Sequence, residues 1–274
     1  MTAPATVVWE LAPRYPRSGP YRLPAPGAPR ALDTAESLAL LDEFARLAVV
    51  TVEVSGGEPT GRADFPELAA HASAIGLGFA FHTDGTGVTP ALARQLAGDH
   101  RRTARVALAA PTEAADDAVR GPGAYRASVR AMELLASAGV YEFEVAVPLT
   151  RHSAERLDAL LAVAGIFGAG LRLTGDRPPE AAPDAAQRRA VAAWAAEHPE
   201  RVRFGVHPTG DLAEECGAGR DICLVDAVGD VFACPVARGV RPHGNVRGAG
   251  GFAAVARELA PAACPAAPAV ARPA

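Results

Sequence analysis

A glutamate that directly follows two glycines is the first group in this chain whose setting favours ligand chemistry. The stretch VVTVEVSGGEP, residues 49–59, is rich in β-branched residues, which predicts a buried strand. Gly56 and Gly57 let the backbone turn sharply and approach a ligand closely; Glu58 then presents a carboxylate, and Pro59 ends the strand. Because parallel sheets bind ligands at the carboxyl ends of their strands, the turn predicts a site for a cationic or amine-bearing small molecule. The alternative is a tight turn with a solvated glutamate.

Four cysteines form the second candidate set, and all of them lie in the last quarter of the chain. In an intracellular protein such thiols favour metal or redox chemistry over disulfides. Four thiolates suffice for one [4Fe–4S] cluster or one zinc ion. The alternative is a hairpin with reduced, partly buried thiols, and the tight C-x2-C pair of stronger metal sites is absent. The four residues are Cys216, Cys223, Cys234 and Cys264.

The composition narrows the possible functions further. The chain has 274 residues, 49% hydrophobic and 21% charged, which predicts a globular protein with a sizeable core. Its net charge of −4, with no basic block, argues against nucleic acid or an anionic membrane surface as a partner. The N-terminus lacks the features of a secretory signal and no apolar run is long enough to cross a bilayer, so we expect a cytoplasmic protein. The P-loop and G-x-S-x-G motifs are absent.

Alternating strand and helix patterns must position these groups. Such alternation implies parallel strands joined by right-handed crossovers. About six units are too few for a closed eight-fold barrel, and they favour an open, partial TIM barrel over a doubly wound sheet. Strands are predicted at residues 6–11, 49–55, 78–83, 104–110, 142–149, 170–174 and 202–206, and helices at 34–47, 64–75, 89–96, 123–137, 153–167 and 184–197.

Two segments depart from the alternation. Residues 12–30 are dense in proline, glycine and arginine, which predicts a long loop of the kind that is usually functional or disordered. Residues 216–235, CGAGRDICLVDAVGDVFACP, hold two short apolar runs around a glycine-containing turn. They predict a β-hairpin with cysteines at its base.

Several stretches together resemble one family, the radical S-adenosylmethionine (SAM) peptide maturases with a SPASM extension, most nearly those of the mycofactocin type. The resemblance runs from TVVWEL to about Cys264. It rests on SGGEPTGRADF, on RGPGAYRASVRAMELLASAG, on VPLTRHSAERLDALL and on CGAGRDICLVDAVGDVFACP, in that order. The resemblance implies a partial (β/α)6 TIM-like barrel of the radical SAM type with a short C-terminal SPASM-like β-hairpin extension. It assigns residues 1–208 to the barrel and 209–264 to a truncated extension. The small, proline-rich composition of residues 265–274 predicts a flexible tail.

The resemblance also implies roles for the candidate residues. The turn of Gly56, Gly57, Glu58 and Pro59 corresponds to the one that holds the methionyl amine of SAM. Thr83 begins TDG where the family usually has T-N-G, and Arg177 lies where members often carry an arginine near SAM. The first three cysteines match ligands of the auxiliary cluster in order, whereas Cys264 aligns with a cysteine of the second auxiliary cluster.

One departure from the family pattern decides the functional prediction. The family binds its catalytic [4Fe–4S] cluster through a C-x3-C-x2-C motif after the first strand. The corresponding positions here are Tyr15, Gly19 and Arg22, and none of them supplies a thiolate. We therefore expect a degenerate protein that binds a ribosomal precursor peptide, SAM or an intact radical SAM homologue without radical chemistry. The alternatives are an active radical SAM enzyme whose cluster is held in an unusual way, and a non-radical SAM-dependent enzyme.

Overall fold

The computed structural model describes residues 3–11, 30–140, 143–175, 181–205, 217–235 and 241–259. The predicted positions Tyr15, Gly19, Arg22, Arg177, Cys216 and Cys264 lie outside these ranges, as does the tail at 265–274. Within the described ranges, none of the helices has the length and apolar character needed to cross a membrane.

One mixed sheet organises the described chain. Seven strands pair in parallel in chain order, as β–α alternation requires, and the sheet remains open as in a partial TIM-like barrel. These strands are β1 (Thr6–Glu10), β2 (Thr51–Ser55), β3 (Gly78–Thr83), β4 (Arg102–Ala107), β5 (Phe143–Pro148), β6 (Gly170–Thr174) and β7 (Val202–Phe204). Three further strands, β8 (Ile222–Val225), β9 (Asp230–Phe232) and β10 (Gly244–Asn245), continue the sheet beyond β1.

Helices cover one face of this sheet. Several begin at side chains that accept a hydrogen bond from the first turn; Asp33 and Asp184 each form a reciprocal capping box with the residue three positions on. The helices are α1 (Thr34–Arg46), α2 (Phe65–Ala74), α3 (Pro90–Leu96), α4 (Glu113–Arg120), α5 (Ala124–Ser137), α6 (Arg151–Ala154), α7 (Leu157–Ile166), α8 (Ala185–Ala196) and α9 (Gly251–Glu258).

The period-two burial pattern of β1, β2 and β6 separates the two faces of the sheet. In β2, Val52 and Val54 are fully buried in the hydrophobic core together with side chains from the helices. The intervening Glu53 points to the opposite face, which we call the lumen because it is the concave side of the partial barrel. In β2 the lumen therefore receives the charged residue of the strand, and the helical side receives the apolar ones.

The C-terminal part described in the structure is built onto the barrel sheet. The predicted hairpin is present, since β8 and β9 pair antiparallel. In addition, β8 pairs in parallel with β1, which local sequence patterns do not predict. Glu43 of α1 accepts hydrogen bonds at 3.0 and 2.9 Å from Phe252 N and Ala253 N, which fixes α9 against the barrel. The likeness of this hairpin to a SPASM extension, and the domain boundary at 208, stay predictions.

Two predicted elements were wrong in detail, and two helices were not predicted. The strand predicted at 104–110 ends at Ala107, because the backbone N–H groups of Ala109 and Ala110 turn to the buried Asp116 carboxylate instead of a neighbouring strand. That same carboxylate belongs to α4, a helix that the sequence did not predict. The helix predicted at 153–167 is two helices, because Arg156 has a non-helical backbone (φ −131°, ψ 18°). The helix α9 was not predicted either.

Candidate functional site

The turn after β2 has the backbone geometry that the two glycines predict. Gly56 and Gly57 have φ of +76° and +55°, a region in which other residues are strained. A 3₁₀ turn, Pro59–Gly61, follows directly and brings the chain towards α2. The backbone groups of Gly56 and Gly57 make no hydrogen bond with another residue in the described ranges. They therefore remain available to a ligand at the carboxyl end of β2.

Glu58 lies inside the structure, with only 7% of its surface exposed. Its Oε1 accepts hydrogen bonds from the Thr83 hydroxyl at 2.7 Å, from the Thr60 N–H at 3.2 Å and from the Thr60 hydroxyl. Its Oε2 accepts from the Asp84 N–H at 2.6 Å. The carboxylate therefore ties the glycine turn to the end of β3, and two of the predicted cofactor-binding residues, Glu58 and Thr83, meet here. The solvated glutamate considered as an alternative does not match this geometry.

Burial also changes the acidity of this group. Desolvation, and then the neighbouring Asp84 charge, raise the pKa of Glu58 to about 7, against the hydrogen bonds from Thr60, Thr83 and Asp84 that lower it. The carboxyl group therefore titrates near neutral pH. The Oε2 atom accepts one hydrogen bond and keeps a second lone pair, so a cationic ligand that reaches it need not displace the Asp84 N–H. The carbonyls of Gly56 and Gly57 have no partner within the described ranges.

Arg62 is a positioning residue that the sequence reasoning missed. Its Nη1 donates to the carbonyl of Leu11 at 2.9 Å and to that of Leu32 at 3.2 Å. Its Nε and Nη2 also bind Asp64, at 2.8 and 2.5 Å. Leu11 follows β1 and Leu32 precedes α1, so one side chain holds both ends of the segment that carries the predicted cluster loop. The sequence signal was the spacing Arg-x-Asp at the start of α2.

The cysteine set is only partly within the described ranges. Cys223 is fully buried on β8, opposite Val7, and belongs to the hydrophobic core. Burial raises the pKa of the Cys223 thiol, which favours the neutral form over a metal-binding thiolate. Cys234 is also buried. Among the residues that the structure describes, no group of three or more metal-binding side chains comes together, and the four-cysteine site stays a prediction.

Comparisons with known proteins agree on one family. The sequence profile of the Radical SAM superfamily matches residues 13–161. Mycofactocin maturase MftC of Mycobacterium ulcerans is 38% identical, with 92% of this chain and 74% of that protein covered. Among solved structures, Streptococcus suis SuiB bound to S-adenosylmethionine has a TM-score of 0.72 at 13% identity, covering 89% of this chain and 62% of SuiB. SuiB bound to the precursor peptide SuiA has a TM-score of 0.70 at 12% identity, covering 88% and 62%. At such identities the structural likeness shows the fold alone.

Proposed function

This chain belongs to the radical SAM superfamily, among the peptide maturases of the mycofactocin type, and from that premise we propose that it serves the maturation of a ribosomal peptide as a binding protein without radical chemistry. In this proposal the glycine turn binds SAM, and the barrel receives a precursor peptide or an intact homologue.

The observation that carries the proposal is the position of the cysteines. The first cysteine of the chain is Cys216, so the segment between β1 and α1 contains no thiol. A [4Fe–4S] cluster is held by cysteine thiolates, or less often by histidine, and residues 12–30 contain neither. The residues present therefore do not fit the family's catalytic cluster. Without that cluster, residues 12–30 supply no electron donor for reductive cleavage of SAM.

The turn after β2, by contrast, fits a SAM amine. The carbonyl groups of Gly56 and Gly57 are hydrogen-bond acceptors, and they are free within the described ranges. A protonated amine binds such acceptors well, particularly where water is excluded. Glu58 and Thr83 fix the turn from behind, through the hydrogen bond of 2.7 Å between them. We propose that this chain binds SAM through the turn backbone, with Glu58 holding the turn in shape.

Calorimetry with SAM tests the binding half of the proposal. We expect saturable heat with the wild type and about tenfold weaker binding by Gly57→Val, because a side chain at φ +55° strains the turn and reorients its carbonyls. The matched control is Gly98→Ala, which also changes a glycine of positive φ, +80°, but lies after α3 with nothing within 4 Å of the new Cβ. Absence of heat with the wild type would remove SAM from the proposal.

Anaerobic reconstitution with iron and sulfide tests the second part of the proposal, that the chain performs no radical chemistry. After reconstitution and addition of dithionite and SAM, we expect no 5′-deoxyadenosine. An MftC-type maturase carried through the same procedure serves as the positive control. Formation of 5′-deoxyadenosine by this chain, with about four irons bound per chain, would establish the active-enzyme alternative and overturn the proposal.

A further inference from the structure

The lumen contains a layer of charged side chains away from the glycine turn. Alternate positions of neighbouring strands place Glu53, Arg105, Glu144, Arg172 and Arg203 on this face, and we call these five residues the lumen belt. Arg105 is one of the few buried charged residues of the described chain, with 5% of its side chain exposed. Buried charges are costly unless they are paired, so the partners of each member decide what the belt can do.

Glu144 is the shared partner of three arginines. Its carboxylate lies 3.1 Å from Arg105 Nε and 3.2 Å from Arg172 Nη2, and Arg172 Nε makes a second contact. Arg203 Nε is 3.9 Å from the same carboxylate. Glu53 adds one further acid, 2.9 Å from Arg105. Three guanidinium groups are thus balanced by two carboxylates, and Arg203 has the longest contact and the most exposed side chain, at 65%.

A cavity of about 440 Å³ opens beside this belt. It lies towards the amino ends of β4 to β7, opposite the carboxyl ends at which the glycine turn lies. Gly170 leaves space in its wall, where a Cβ would lie 2.6 Å from the Arg201 carbonyl. Arg201 itself lines the cavity together with Glu200. Four arginines and two glutamates line the cavity. With Glu53, which pairs with Arg105 from outside the lining, four guanidinium groups face three carboxylates, an excess of one positive charge.

The neighbouring histidine adds no charge to this balance. His82 lies beside Arg105 in the register of β3 and β4, and its Nε2 is 3.5 Å from Arg105 Nη1. Burial, and then the charges of Arg105 and Arg172, lower the pKa of His82 to about 3. The ring is therefore neutral at physiological pH. The positive charge of the cavity comes from guanidinium groups, which bind planar and tetrahedral oxyanions through two parallel hydrogen bonds.

From the cavity and its charge we infer a second binding site, for an oxyanion-bearing small molecule, at the amino end of the lumen. Arg203 binds the carboxylate or phosphate group together with the remaining N–H groups of Arg172, whose guanidinium is held in place by Glu144 and by the Phe204 carbonyl. The volume lies within the range of small-molecule pockets, about 300–1,000 Å³, and exceeds what a bare inorganic ion fills. The site is separate from the glycine turn, so it does not depend on whether SAM binds there.

Calorimetric titration of the full chain with inorganic phosphate and with benzoate, against sodium chloride at equal ionic strength, tests this inference. We expect saturable binding of at least one oxyanion and none of chloride. Phosphate and benzoate separate a phosphate-bearing ligand from a carboxylate-bearing one. Arg203→Gln should weaken binding about tenfold or more, because it removes a charged donor, and Arg203→Lys, which keeps the charge without the planar fork, should have a smaller effect.

Arg126→Gln is the matched control, because Arg126 is 78% exposed on α5 and pairs with Glu113. Its affinity for the oxyanion should equal that of the wild type. Circular dichroism of each variant verifies folding, and Arg203 suits substitution because its side chain is largely exposed. Absence of saturable binding by the wild type, or equal affinity of wild type and Arg203→Gln, would overturn the inference.

Discussion

Replacing Glu58 by glutamine should reveal how the folded protein holds this carboxyl group. Glu58→Gln keeps one oxygen for Thr83 and Thr60, but sets an amide in place of the oxygen that accepts from Asp84 N. The substitution also removes the ionisable carboxyl group, so the side chain at position 58 no longer binds or releases a proton. The pKa of Glu58 rises from 4.5 to about 7 on folding, so between these pH values the folded chain binds more protons than the unfolded chain.

The sign and size of the effect follow from this difference. Protonation of Glu58 stabilises the folded state, so the contribution is complete below pH 4.5 and is lost as the pH rises through 7. At about 1.4 kcal/mol for each pKa unit, the free energy of unfolding should fall by up to about 3 kcal/mol over this interval. The Glu58→Gln variant lacks this pH-dependent contribution to the free energy of unfolding. The difference in unfolding free energy, wild type minus Glu58→Gln, should therefore decrease by that amount from pH 4.5 to 7.5.

Equilibrium unfolding in urea at half-unit steps of pH measures this difference. Glu67→Gln, which removes a carboxylate at an exposed position on α2, is the control. A constant difference for Glu58→Gln would refute the reasoning. It would mean that the donors from Thr60, Thr83 and Asp84 outweigh burial, and that the group is ionised across the whole range.

Three further outcomes follow from the described contacts. Arg62→Gln should lower the unfolding free energy by about 2–4 kcal/mol and speed tryptic cleavage between residues 12 and 29, because both ends of that segment lose a donor; unchanged cleavage would contradict this role. Gly85→Ala should cost about 3 kcal/mol or more, since its Cβ would lie 2.5 Å from the Ala127 carbonyl, whereas Gly98→Ala should cost about 1–2 kcal/mol in urea unfolding; equal costs would contradict the clash. Cys223 should react with a thiol reagent only when the protein unfolds, as peptide mass spectrometry can follow, and fast labelling of the native protein would contradict its core position.

The sequence predicted those parts of the fold that local patterns determine. Valine-rich alternation located β2, and the glycine pair with Pro59 located its carboxyl end. The helix α4 was missed because Asp116, its one fully buried side chain, is charged. The pairing of β8 with β1 joins residues about 216 positions apart, such as Thr6 and Ile222, and no local pattern carries that information. Only the assembled sheet determines it.

In the lumen belt, too, local sequence patterns do not show which residues lie together. Its members occupy the polar positions of apolar strands, as Glu53 does in TVEVS and Arg172 in GLRLT. The sequence thus marks each residue as unusual, since charged side chains in buried strands need partners. Only strand register shows that Arg105 lies beside Glu144. The individual positions were predictable, but the charge balance among them was not.

The hydrogen bonds of Glu58 give this residue of the GGEP stretch a structural role that is separate from ligand binding. Its carboxyl group joins the turn after β2 to the end of β3. These contacts stabilise the carboxyl ends of the two strands whether or not a cofactor binds. The presence of Glu58 is therefore explained by folding, and a loss of SAM binding in a Glu58 variant would not separate a lost ligand contact from a displaced turn. Gly56 and Gly57 are different, because their backbone groups make no hydrogen bond in the described ranges. If Gly57→Val loses SAM binding but is as stable as Gly98→Ala, the turn binds SAM directly. If Gly57→Val loses as much stability as Gly85→Ala, the turn serves the fold.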